Sequence, residues 1–315
     1  MNIIDMHCDT MSCLWDNGGS IVDNKQHINM KKMRKAVGEN GSYTQFFAAY
    51  LSPEFVSKET DYGRHRTYPI IDTFYTEINS NKITFCRSFS DYEESKEWHK
   101  LAAFLSIEGA DFIKSTDDVY ELYEKGVRCM ALTWNYSNRL ASGVLDATPQ
   151  YGLTELGRDV IRAMNKCGMI VDVSHLSDRA FFDVASVCDA PFIASHSNLR
   201  SVCANPRNLT EEQFRIICES GGGIGVNLYP PFLNESGTAS IDDIKRHIDR
   251  ILALGGENHI GLGCDFDGVD FLPENICSCE DVGGILYDSL NDTFGETVIL
   301  KMFSANFERI LRKVI

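Results

Sequence analysis

The chain has 315 residues, 43% of them hydrophobic and 24% charged, with a formal net charge of −15. That suits one large globular domain or two smaller ones with a full core. An acidic surface repels nucleic acid and anionic membranes, which argues against both as partners, but it does not repel a metal cation.

The chain opens on Ile3-Ile4-Asp5-Met6-His7-Cys8-Asp9-Thr10. Two β-branched residues lead into His-x-Asp, and side chains two apart on a strand share a face. His7 and Asp9 therefore point one way from the end of a strand over 3–8, with Asp5 on the same face but deeper. Imidazole and carboxylate side by side form half of a divalent-metal site. Further buried strands are predicted over 44–51, 102–108, 128–134, 169–174, 191–196, 222–228 and 260–265. Most are near-continuous apolar runs, as expected when both faces are covered.

Helical patterns with readable ends lie between them. Ser115-Thr116-Asp117-Asp118 opens one and Gly126 closes it; Thr154 opens the next and Gly168 closes it. Ser177-Asp178 opens a third, and Thr210-Glu211-Glu212-Gln213 is a capping box. Ser240 begins a helix ending at Gly255-Gly256, and 295–313 reads as one long amphipathic helix. Strand and helix alternating eight times predict a (β/α)8 TIM-type barrel, taken as a single domain over 1–315. A doubly wound sheet is disfavoured, since no Gly-x-Gly-x-x-Gly follows the first strand. The stretches 52–68 and 135–153 read as long connections over the barrel mouth.

In such a barrel the active site lies at the C-terminal ends of the strands. The first predicted strand ends in His7-Cys8-Asp9, the third in Glu108-Gly109, the fifth in His175 and the sixth in His196-Ser197. The eighth ends in Asp265-Phe266-Asp267-Gly268. Any one of these is an ordinary loop residue; three His, one Glu and two Asp at the same end support two divalent cations with N/O ligands, which suits zinc. The other histidines, His27, His65, His99, His247 and His259, read as structural, and so does Asp172.

Asp5-Met6-His7-Cys8-Asp9, Ser106-Ile107-Glu108-Gly109, Asp172-Val173-Ser174-His175, Ser195-His196-Ser197 and Gly263-Cys264-Asp265-Phe266-Asp267-Gly268 together resemble the membrane (renal-type) dipeptidase family of the metal-dependent amidohydrolase superfamily. The resemblance spans essentially the whole chain. It implies two Zn2+ ions, one held by His7 and Asp9, the other by His175 and His196, with Glu108 bridging them. It also implies hydrolysis of dipeptides, commonly with a D-residue tolerated at the C-terminal position. Asn205-Pro206-Arg207-Asn208 resembles the segment whose Arg binds the substrate carboxylate. Gly223-Ile224-Gly225-Val226-Asn227-Leu228-Tyr229 resembles the strand whose Tyr assists it. A planar guanidinium can grip a carboxylate through two bonds.

Asp265 is the expected proton carrier in metal-assisted hydrolysis, and no Ser or Cys nucleophile elbow is present. One departure stands out. The animal enzymes end the fourth strand in Leu-Thr-His, and that His contacts the substrate; here Leu132-Thr133-Trp134 stands in its place. Indole offers one N–H donor and no titratable proton. The alternatives are another metal-dependent amidohydrolase acting on a small amide or ester, or a barrel that binds metal or dipeptide without turnover. Amidohydrolases that bridge their metals through a carboxylated Lys carry it at the fourth strand end, where this chain has none, which favours Glu108.

Eleven cysteines are scattered without CxxC spacing, which reads as reduced thiols in a cytoplasmic protein. A strand from residue 3 leaves no room for a signal peptide, no apolar run approaches 18 residues, and Leu311-Arg312-Lys313-Val314-Ile315 carries no anchor signal. A soluble protein is expected, and the family often forms homodimers.

Overall fold

Apolar strands need cover on both faces, and the chain supplies it by closing its sheet on itself. The computed structural model describes residues 1–51, 62–146 and 151–315. Its strands are β1 (Asn2–Cys8), β2 (Ser42–Tyr50), β3 (Thr84–Phe85), β4 (Leu101–Glu108), β5 (Val127–Ala131), β6 (Ile170–Asp172), β7 (Ile193–Ala194), β8 (Gly223–Val226) and β9 (Ile260–Leu262). All pairings are parallel, in the order β2-β1-β9-β8-β7-β6-β5-β4. Pairing of β2 with β4, from Tyr43 opposite Leu101 to Tyr50 opposite Glu108, closes an eight-stranded barrel. The two-residue β3, too short to read from sequence, lies outside this ring against Ala102 and Ala103 of β4.

The barrel interior holds Ile4, Met6, Phe46, Phe104, Cys129, Ile170 and Ile193, with the Phe46 and Phe104 rings stacked 4.6 Å apart. Its lower end is stopped by Phe307, Ile310 and Leu311 of the last helix. Gly261 of β9 makes this plug possible: a Cβ there would lie 2.0 Å from the Phe307 ring. The outer face of the strands packs under the surrounding helices.

The helix ends follow the capping chemistry. Ser115, Thr154, Ser177 and Thr210 each accept a backbone N–H of the first turn, and Gln213 returns a bond to Thr210. Gly168 closes its helix in the left-handed conformation.

Three expectations are corrected. Residues 62–68 are not a connection but the start of the helix Tyr62–Ser80; the rest of that predicted connection, 52–61, lies outside the described residues, as do 147–150 of the other. The single C-terminal helix is three segments, Glu296–Leu300, a wide π turn Lys301–Ala305, and Asn306–Val314. There Asn306 donates to the carbonyls of Glu257 and Ile260 under β9. Finally, Asp5 and His7 do not share a face. Between Asp5 and Cys8, β1 carries one residue more than β2, a β-bulge. Strict alternation would send Cys8 inward after Ile4 and Met6. The bulge sends His7 inward instead, leaves Cys8 in the outer core, and keeps Asp5 on the outer side, where it accepts the N–H of Cys264.

No described helix is long and apolar enough to cross a membrane.

Candidate metal centre and cleft

The inward face of β4 runs Ala102, Phe104, Ser106, Glu108, so the strand that fills the core with Phe104 ends by pointing a buried carboxylate into the barrel mouth. His7 arrives through the bulge in β1. His175, His196 and Asp265 stand just beyond the ends of β6, β7 and β9. His175 and Asp265 hold left-handed backbone, φ 69° and 61°, although neither is glycine. Such conformations cost about 1–3 kcal/mol and persist where the surroundings fix them. The His175 carbonyl accepts from Val144 N–H and Thr133 Oγ1, and the Asp265 carbonyl from Gly268 N–H.

The six predicted side chains converge. Glu108 Oε1 lies 2.7 Å from His175 Nε2 and 3.4 Å from His196 Nε2, while Oε2 lies 3.6 Å from His7 Nε2. His7 Nε2 is 3.3 Å from Asp9 Oδ2 and 3.8 Å from Asp265 Oδ1. Glu108 thus stands between a His175–His196 pair and a His7–Asp9 pair. Ligand atoms of His7, Glu108 and His196 form one compact group and those of His7, Asp9 and Asp265 another. Asp265, expected to belong to neither pair, therefore lies within reach of the His7–Asp9 side.

The donor set calls for cations. His175 Nδ1 bonds the amide oxygen of Asn135 at 2.8 Å, so it carries the proton. Ser195 Oγ gives its hydrogen to Asp172 Oδ2 and accepts from His196 Nδ1 at 2.7 Å. Both Nε2 atoms then present lone pairs, and they face each other at 2.8 Å beside a carboxylate oxygen. Three acceptors at that spacing repel unless a cation or proton lies among them. His7 Nε2 and Asp9 Oδ1 are likewise buried without a hydrogen bond. Fixing the distal ring nitrogen is how a protein aims a ligating histidine.

Charge follows the same geometry. Burial opposes a charged His7, but Glu108 and Asp9 outweigh it and raise its pKa well above the usual value. Burial, then Glu108, raises Asp9 to about 7. Burial would also raise Glu108, yet the adjoining His7 and His175 hold it well below the carboxylate range. Burial and then Arg207 lower His175 to about 4; burial and then His7 push His196 well down. Burial raises Asp265 against the pull of His7.

Above these residues opens a cleft of about 730 Å³, within the usual range for small-ligand sites. Arg207, Tyr229 and Trp134 all line it. Arg207 is 5% exposed; Nη2 lies 3.1 Å from His175 Nε2 and donates to the His196 carbonyl, while its Nε is buried without a partner. Phe232 lies under the Arg207 guanidinium and meets the Tyr229 ring edge-to-face at 5.0 Å. Trp134 meets Tyr50 edge-on at 5.6 Å and lies 6.2 Å from the His175 ring.

Sequence reasoning missed the supporting residues. Asn135 orients His175, Ser195 links Asp172 to His196, and Asn227 Nδ2 holds Asp265 Oδ2 at 2.8 Å. Each sits inside or beside a segment singled out for another residue, which was the available signal. Asp267 accepts from Thr10 Oγ1 and from His27 N–H, tying the mouth to the first loop.

The chain is similar to known proteins over most of its length. The profile described as membrane dipeptidase (peptidase family M19) matches residues 1–315. An uncharacterized protein in the pqqA 5′ region of Klebsiella pneumoniae is 37% identical over 249 residues, 75% of this chain and 90% of that one. An uncharacterized dipeptidase of Schizosaccharomyces pombe is 31% identical over 269 residues, 79% of this chain and 63% of its own length. Among solved structures, a dipeptidase described as a metallo peptidase of family M19 superposes with a TM-score of 0.90 at 25% identity, covering 100% of this chain and 98% of that one. A metallo peptidase from Rhodobacter sphaeroides, liganded with a phosphinate mimic of L-Ala-D-Ala, shares the fold with a TM-score of 0.88 at 24% identity, covering 100% and 99%.

Proposed function

The chain belongs to the membrane dipeptidase family and is a metallo-dipeptidase by that membership, and on this premise we propose that it hydrolyses free dipeptides with two zinc ions at the barrel mouth. The observation that carries the reading is the convergence of His175 Nε2, His196 Nε2 and Glu108 Oε1, acceptors whose protons are committed elsewhere. His7 and Asp9 would hold one ion, His175 and His196 the other, and Glu108 both. Bound there, the ions supply Lewis acidity and an acidified water.

The chain's own residues do the rest. Arg207 receives the substrate's C-terminal carboxylate through its buried guanidinium, assisted by Tyr229 across the shared Phe232. That ties cleavage to the bond next to a free C-terminus and excludes internal peptide bonds, which have no carboxylate at that distance. Asp265, fixed by Asn227 and raised by burial, carries the proton to the leaving amine. Trp134 closes the side of the cleft over His175 and offers one N–H to the oxygen that becomes negative. The L-Xaa-D-Xaa preference rests on the family resemblance, and L,D-dipeptides are the first to assay. The same reading takes residues 1–315 as one cytoplasmic catalytic domain and admits a homodimer.

The test compares free dipeptides with the corresponding dipeptide amides on zinc-reconstituted protein, in wild type and Arg207→Ala. Free dipeptides should be cleaved and amides spared. Loss of a charge-assisted bond costs roughly 1.5–3 kcal/mol, so Arg207→Ala should lower kcat/KM by about one to two decades. Equal cleavage of amides and free dipeptides would refute the carboxylate assignment.

A further inference from the structure

The cleft extends beyond the metal-ligand cluster, and its two ends are built differently. Arg207 stands beyond β7, 95% buried and with an unpartnered Nε. At the opposite end, beside β1 and β2, stand Asp16 and Arg66. Asp9, Cys13 and Asp16 are spaced i, i+4 and i+7 along the helix Thr10–Asn17 and its cap, so they share one face, and all three line the cleft. At 1.5 Å per residue, Asp16 lies about 10 Å along the axis from Asp9.

Asp16 is held firmly. Its two oxygens accept Nη1 and Nη2 of Arg66 at 2.8 Å each, and Arg66 Nε donates to the Tyr50 carbonyl. The order of the pair sets the sign of the surface: the Arg66 side chain is 6% exposed and the Asp16 side chain 41%. A solute in the cleft therefore meets the carboxylate, with its neutralising cation behind it. The fork uses one lone pair of each oxygen and leaves others for a second donor. Tyr50 and Trp134 wall the space with aromatic surface.

We infer that this end of the cleft is a subsite for a cationic side chain, lysine or arginine, on the N-terminal residue of the dipeptide. The inference rests on the dipeptidase reading, with Arg207 taking the carboxylate of the leaving residue. That fixes the direction of the substrate and turns the N-terminal residue toward Asp16. Its α-ammonium stays next to the scissile carbonyl, so the distance to Asp16 suits the tip of a long side chain and not the amine. The aliphatic stem lies along Tyr50 and Trp134 while the charged head reaches Asp16. An acidic side chain meets the Asp16 carboxylate before it can meet Arg66.

The experiment measures kcat/KM of the zinc-reconstituted full chain on lysyl-alanine, norleucyl-alanine and glutamyl-alanine. The lysyl substrate should exceed its uncharged norleucyl counterpart by about ten- to a hundredfold, as for one charge-assisted bond, and the glutamyl substrate should be slowest. Asp16→Asn should bring the lysyl-to-norleucyl ratio close to one. Equal lysyl and norleucyl values in wild type overturn the subsite and leave the dipeptidase reading standing. So does an Asp16→Asn variant that lowers both substrates together with the ratio intact. Cleavage of none of the three, by protein shown to hold zinc, removes both. The wild-type ratio decides the matter alone if Asp16→Asn does not fold.

Discussion

Asp265 sits where two roles meet. Asn227 fixes one oxygen, and the other lies 3.8 Å from His7 Nε2, within reach of the His7–Asp9 side. If it carries the proton, Asp265→Asn should keep both metals and the fold while losing about 10²–10⁴-fold in turnover. Metal analysis of the same variant separates the roles: loss of one ion makes Asp265 a ligand, and near-normal turnover removes it from the mechanism. Trp134 poses a similar choice. Its ring stands over His175 where the animal relatives place a histidine, and its N–H is the one donor it offers. Trp134→Phe keeps most of the bulk and deletes that donor. If the N–H meets the developing oxyanion, turnover should fall by about one to three decades, as when one oxyanion donor is lost. Unchanged turnover with metals intact leaves Trp134 as a wall of the cleft.

Elements explain why some of this was legible in the sequence and some was not. Parallel strands buried on both faces read as apolar runs, so all eight barrel strands, and the chemistry just past their ends, stand out. The helix Thr10–Asn17 does not, because its N-cap Asp9 reads as a strand-end ligand beside His7; the Asp9 side chain makes no cap bond and turns to the cleft. The β1 bulge is invisible as well: it is a mismatch of register with β2, and alternation within one strand predicts the wrong partner for His7. Long-range orientation is the third gap. Asn135 and His175 are 40 residues apart, and Asp172 reaches the His196 ring through Ser195. Asp172 read as structural, and its position gives that word content. Its Oδ1 accepts the N–H of Ser174 and of Ser195, tying the end of β6 to that of β7, while Oδ2 holds the Ser195 hydroxyl. As a positioning residue it should act on affinity for metal: Asp172→Asn should weaken zinc binding by about 10–100-fold, the usual cost of losing such a partner. A competition titration against a chelator checks this. Unaltered affinity with lowered thermal stability would leave Asp172 with packing alone.

For the whole molecule, the metal centre is where the barrel is tied together, since its residues come from the ends of β1, β4, β6, β7 and β9. Without cations that junction gathers several carboxylates and two opposed imidazole lone pairs. Removing metal should therefore lower the melting temperature, and the dependence on pH has a definite sign. Asp9 is raised to about 7 in the folded, metal-free protein from 3.8, so the protonated form is the one the fold prefers. Its contribution is complete below about pH 4 and is lost as pH rises through 7. His7, raised well above 6.5, also favours its protonated form in the metal-free site. Metal requires both deprotonated, so bound metal competes with protons less as pH rises. His175, lowered to about 4, is already neutral throughout this range and adds no opposing change. The unfolded chain is common to both forms and cancels from their difference. The gap in melting temperature between zinc-loaded and chelator-treated protein should then widen from pH 6 to pH 8. One proton displaced over one pH unit is worth about 1.4 kcal/mol, or about 2–4 °C in a domain approaching this size. Paired calorimetric scans at the two pH values measure it. A gap that stays constant or narrows would mean that Asp9 and His7 do not give up protons to metal, and would remove them from the ligand set.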